Sequence, residues 1–187
     1  LAAAEELLAS SGSEDAVSIR AVADAVGVTA PSIYRHFPDK AHLLLAWFRV
    51  VVPQTIDAWR AAIDGDGIDD ATDEGGHDPA RQLQRWARTY LEWANSPEHR
   101  LVAPLTDSLD DFDDDTRAEV GALHRSMMAV VAQVLSDAGI DADEIPGTLE
   151  LLTGLVLGAA RAEAAGEARP AIRDRLDAAI TAIIAAS

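Results

Sequence analysis

The chain has 187 residues, with 32 acidic against 15 basic side chains and a formal net charge of −17. Its 49% of apolar residues can bury a core, which excludes a disordered chain, and no window reaches the uninterrupted apolar length of a membrane span. Cysteine is absent, which excludes disulfide frameworks, thiolate metal sites and cysteine nucleophiles and suits a reducing cytoplasm.

So acidic a chain is a poor partner for nucleic acid over a broad surface, because phosphate contact needs cations. The charge is uneven, however. Between residues 17 and 49, Arg20, Arg35, Lys40 and Arg49 face only Asp24 and Asp39, a local +2, while the remainder carries −19.

No segment alternates with period two, and Ala and Leu dominate, so the expected fold class is all-α with about nine helices. A first helix is expected over 1–11, ended by Gly12. Ser18 can cap a second over 19–26, with Ile19, Val22, Ala23 and Val26 on one face and Gly27 as its stop. Thr29 can cap a third over 30–37, and Asp39 a long fourth from 40 to about 63, kinked at Pro53. Residues 65–79 hold six carboxylates and four glycines, the composition of a solvated loop. Further helices are expected over 80–95, 114–138, 146–168 and 170–186, with one short helix in the broken stretch between 96 and 113. Pro146 and Pro170 fall in expected first turns.

Residues 18–37 have the spacing of a helix-turn-helix, in which the first helix braces on the DNA backbone and the second enters the major groove. If Ala30, Ile33 and Phe37 face inward, Pro31, Ser32 and Arg35 point outward at about 100° per residue. Tyr34 and His36 then fall on the flanks. The outward set is short, polar and cationic, as a base-reading face should be. Lys40 stands in the first turn of the next helix, where free N–H groups favour a phosphate.

The runs LAAAEELLASSG and SIRAVADAVGVTAPSIYRHFPDKAHLL resemble the DNA-binding head of the tetracycline-repressor (TetR) family of bacterial regulators. The likeness rests on the Gly27-Val28-Thr29 turn, the Ile33-Tyr34-x-His36-Phe37 core and Lys40 after the Pro38-Asp39 corner. The family's usual basic lead-in is missing. The resemblance implies a three-helix DNA-binding domain over 1–46 and an effector-binding and dimerisation domain over 47–187. It implies contacts to bases from Thr29, Pro31, Ser32 and Arg35, with Arg35 suited to guanine. Ser18, Arg20, Tyr34, His36 and Lys40 would hold phosphates or the groove edge. Ser18 and Thr29 have the alternative role of plain N-caps.

In the second domain, Leu83, Trp86, Tyr90 and Trp93 line one helix face, and Trp59, Val120, His124, Met127 and Met128 are candidates for the same interior. Such side chains suit an apolar effector and equally suit plain core packing. The five histidines show no metal-binding spacing, and no phosphate loop or catalytic elbow occurs, so neither a metal, a cofactor nor an enzymatic activity is expected. Residues 149–160 are apolar almost all round, and Gly154 and Gly158 share a face. With Leu151, Leu155, Leu176, Ile180 and Ile183 they form the expected dimer interface. The leading expectation is a homodimeric regulator, most often a repressor in this family, that binds a palindromic operator in double-stranded DNA. The alternative is a protein-interaction module that keeps the head fold.

Overall fold

The computed structural model describes residues 2–3, 6–7, 18–65, 78–96, 99 and 112–186. Among these, seven helices have defined bounds and no strand occurs. They are α1 Ile19–Ala25, α2 Ala30–Tyr34, α3 Lys40–Asp64, α4 Pro79–Ala94, α5 Asp114–Asp137, α6 Ile145–Ala164 and α7 Arg169–Ala186. The expected all-α class therefore holds, but the count of about nine and the three-helix head are not matched. The helix expected over 1–11 and the short one between 96 and 113 fall largely outside the described residues, as does the acidic stretch over 66–77. None of the described helices is long and apolar enough to cross a membrane.

The chain divides into two compact units, Leu1–Pro53 with Ser96–Leu123, and Gln54–Asn95 with His124–Ser187. Helices α3 and α5 each contribute one part to each unit.

In the first unit, α1 starts where Ser18 accepts a hydrogen bond from Ala21 N at 3.2 Å. Ile19, Val22 and Ala23, one helical turn apart, are its buried face. The helix ends because Gly27 adopts φ +71°, which lets Gly27 N reach Asp24 O at 3.2 Å and Val28 N reach Ala23 O at 3.0 Å. That paired closure satisfies two otherwise orphaned carbonyls and turns the chain into α2.

Helix α2 stops at Tyr34 rather than at the expected Phe37. Pro38 disfavours helical geometry at the residue before it, and the chain tightens so that His36 N and Phe37 N both bond Ile33 O, at 2.8 and 2.9 Å. Asp39 then caps α3, accepting from His42 N at 2.8 Å. Leu43, Leu44, Leu45, Trp47, Phe48, Val51 and Val52 are buried. Three consecutive buried leucines cannot share one face, so this half of α3 is covered on several sides.

The α5 part of the same unit is capped by Asp113, which accepts from Thr116 N at 2.8 Å. Arg49 grips Glu119 with both guanidinium arms, Nε to Oε1 at 2.5 Å and Nη2 to Oε2 at 2.7 Å. The pair holds the Glu119 carboxyl below its ordinary value.

In the second unit, α4 packs on α6 and α7, which pack on each other. Asp78 caps α4 by accepting from Ala80 N at 3.0 Å, with Pro79 in the first turn. Leu83, Trp86, Ala87, Tyr90 and Leu91 form its buried face. Arg85 bonds Ala62 O at 2.8 Å and Ile63 O at 2.7 Å, so an α4 side chain satisfies the last carbonyls of α3.

Polar clamps tie α4 to its neighbours. Gln84 donates to Asp177 O at 3.1 Å and Thr181 Oγ1 at 2.9 Å, and Arg88 pairs with Asp177. Glu163, whose side chain is 4% exposed, accepts from Asn95 Nδ2 at 3.0 Å and stands 3.6 Å from Arg169 Nε. Helix α6 ends at Ala164, four residues short of the expected end, because Gly166 adopts φ +93° and its own closure follows.

Candidate functional site

The outer surface of α1 and α2 is short and polar. Ser18, Arg20, Thr29, Pro31, Tyr34, Arg35 and His36 are exposed, while Ser32 and Lys40 are half-buried. Ile33 and Phe37, the expected inward side, are also only half-buried, and no residue of α2 is fully buried. A five-residue helix held by one apolar edge leaves most of its circumference for a partner.

Capping differs from expectation at one of the two candidate positions. Ser18 is an N-cap, but the Thr29 side chain makes no cap bond. Its hydroxyl instead pairs with the Ser32 hydroxyl at 2.9 Å, while Ser32 N bonds Thr29 O at 2.8 Å.

The cations sort by partner. Arg49, counted in the basic stretch, is taken by Glu119. Arg20 and Arg35 form no ion pair or hydrogen bond among the described residues. Against partial burial, which would raise it, hydrogen bonds from His42 hold the Asp39 carboxyl below its ordinary value, so the α3 cap beside Lys40 stays ionised.

Two residues of this surface escaped the sequence reading. Val26 and Val28 are 49% and 43% exposed, although periodicity assigned Val26 to the core face. The positive φ of Gly27 turns the chain there, so the helical face ends one residue early. The Gly itself was the available signal.

Residues 1–47 match the profile of bacterial regulatory proteins of the tetR family. The chain carries a tetR-family head. Solved structures share the fold along the rest of the chain. A transcriptional regulator from Rhodococcus sp. Rha1 is 24% identical with a TM-score of 0.69, over 99% of this chain and 94% of that one. The fatty acid degradation regulator FadR from Bacillus halodurans is 16% identical with a TM-score of 0.65, over 96% and 91%. The regulator PfmR from Thermus thermophilus is 16% identical with a TM-score of 0.63, over 97% and 94%. No curated protein matches the sequence. The fold is thus that of tetR-family transcriptional regulators.

Beyond the tetR-family head in the sequence, four of the candidate effector residues come together. Trp59 meets Trp86 edge-on at 5.7 Å, Tyr90 at 5.1 Å and Trp93 at 6.5 Å. Trp59 and Trp86 are fully buried, and their indole N–H groups have no hydrogen-bond partner among the described residues. Burial pushes the Tyr90 phenol up to about 12. Met127 is buried, and Met128 is half-buried against Thr153 of α6. His124 is exposed instead of facing an interior. Partial desolvation and the neighbouring Arg125 hold its imidazole below the ordinary value.

The expected interface residues divide as well. Leu151 is 63% exposed. Leu155 and Gly158 line an open cleft of about 320 Å³ with Gly154, Ala162 and Ile172, and a Cβ on either glycine would meet open space. Leu176 and Ile180 are 4% and 0% exposed. They belong to the chain's own core, and Leu176 lines the same cleft against α6. Ile183 is half-buried.

Proposed function

We propose that this chain is a ligand-responsive transcriptional repressor of the cytoplasm, which binds a palindromic operator in double-stranded DNA as a homodimer and releases it when a small apolar effector binds. The observation that carries this reading is that Arg20 and Arg35 stand exposed on the helix-turn-helix and, among the described residues, unpaired, in a chain holding 32 carboxylates. Two arginines left unneutralised in so acidic a protein suit a polyanionic partner. In this reading Arg35 reaches guanine, while Ser18, Arg20, Tyr34, His36 and Lys40 hold the backbone.

The effector reading rests on the Trp59, Trp86, Tyr90 and Trp93 cluster, with Met127 and Met128 as further lining. Buried indole donors such as those of Trp59 and Trp86, without acceptors among the described residues, are uncommon, and they suit an apolar effector carrying a carbonyl or ether oxygen. The dimer reading rests on Leu151, Leu155, Gly158 and Ile183, an apolar stripe with small residues that would admit a partner helix closely. The DNA-binding function is assigned to 1–46 and the other two to 47–187.

Anisotropy of a labelled duplex from the region upstream of its own gene tests the conclusion. Binding should resist competitor DNA and weaken steeply between about 50 and 200 mM salt. Binding abolished by competitor would overturn it.

A further inference from the structure

The side chains on the reading surface form a restricted chemical set. Residues 28–36 include no Asn, Gln, Asp or Glu. The surface therefore lacks the amide that grips adenine bidentately and the carboxylate that accepts from cytosine. Thr29 and Ser32 carry hydroxyls, but these are spent on each other at 2.9 Å. A hydroxyl pair can still offer one donor or a lone pair, and for that reason it does not distinguish the bases. Pro31 has no N–H, and Ser32 N is bonded to Thr29 O, so the backbone at this turn supplies little hydrogen bonding either.

With the exposed Tyr34 and His36 on the flanks assigned to phosphates, what remains for the bases is Arg35, a pure donor, and an apolar strip. Val28 is 43% exposed beside Thr29, whose methyl is the part of its side chain not engaged in the hydroxyl pair, and the Pro31 ring follows. Among base-pair edges in the major groove, the thymine C5-methyl is the apolar group.

We propose that this head recognises its half-site chiefly through thymine C5-methyl groups, contacted by Val28, Thr29 and Pro31, with Arg35 supplying a guanine contact. The inference rests on the DNA-binding reading above and narrows it to a base composition that the protein can sense.

The test uses the full chain. An operator is selected from a randomised duplex library and then resynthesised with deoxyuridine replacing each thymidine in turn, which removes one methyl and nothing else. Uracil at one or two positions per half-site should weaken binding about fourfold for each methyl lost, the worth of one buried methylene-sized group. The Pro31→Ala and Val28→Ala variants should bind the thymine operator more weakly and show a smaller uracil penalty at those positions. Equal affinity for the thymine and uracil operators would overturn the proposal, as would a penalty unchanged in both variants. The uracil measurement needs only the parent protein, so it stands whether or not a variant folds. A library that enriches no sequence overturns the DNA-binding reading itself, a result distinct from methyl-blind binding.

Discussion

Arg35 and Lys40 are both cations of the head, but their settings assign them different work. Arg35 is exposed just past α2, while Lys40 sits in the first turn of α3. Arg35→Ala should cost about 1–3 kcal/mol on the selected operator and relax preference at one base pair. Lys40→Ala should weaken binding to all sequences alike and lower the salt slope by about one. Anisotropy titrations on operator and scrambled duplex, at several salt concentrations, separate the two.

Tyr90 makes a residue-scale prediction of another kind. Its folded pKa is raised to about 12 by burial, so the folded state keeps a proton that the unfolded chain gives up near its ordinary value of 10.0. Its contribution, on the order of 3 kcal/mol at most, is complete below about pH 10 and is lost as pH rises toward about 12. In a Tyr34→Phe variant, absorbance at 295 nm should show one phenol ionising together with unfolding. A titration near pH 10 with the fold intact would contradict the burial.

At the scale of elements, the Arg49–Glu119 grip joins residues seventy positions apart within one unit. Glu119 is held below the usual carboxylate range by Arg49, so the pair's contribution is present above about pH 4.5 and is lost as pH falls through the lowered value. Both groups are well exposed to solvent. Glu119→Gln should therefore cost only about 0.2–1 kcal/mol at neutral pH and leave the acid limb of the stability profile shallower. Urea unfolding at pH 7 and pH 3.5 checks both parts.

Helix starts were legible in the sequence because caps are local chemistry. Ser18 and Asp39, both read as caps, bond the first turns of their helices, whereas Asp78, placed by composition in the solvated loop, caps α4 and Thr29 makes no cap bond. Ends were less legible. Composition does not mark the end of α6, because Ala165 and Ala168 continue the helical pattern, whereas the positive φ of Gly166 stops the helix at Ala164. Burial was the least legible property. Leu176 and Ile180 fit an apolar stripe equally well on a core face or an interface face. Their burial within the protomer decides between those readings, and no periodicity encodes it.

The proposed dimer belongs to the whole molecule, and the two fates of its apolar residues make it testable. Leu151 is 63% exposed, so Leu151→Arg disturbs nothing within the protomer. It should yield monomers of nearly parental stability that lose operator affinity. Ile180 is fully buried, and Ile180→Arg should cost several kcal/mol, on the order of an unpaired buried charge, and unfold the protomer. Sedimentation at micromolar concentration with parallel thermal melts reads both. A monomeric parent would remove the dimer.

The carbonyls of Ala62 and Ile63 and the guanidinium of Arg85 lie on opposite sides of the acidic stretch in the sequence, and their bonds at 2.8 and 2.7 Å fix both of its ends. For a solvated loop, which the composition of residues 65–79 leads one to expect, added length between pinned ends costs only ring-closure entropy, about 0.6 kcal/mol for each doubling. We expect such a segment to accept a graft. A small tag or reporter inserted near residue 71 should shift the unfolding midpoint little in the parent. In an Arg85→Ala background, where the anchorage is gone, the same insertion should shift it clearly more.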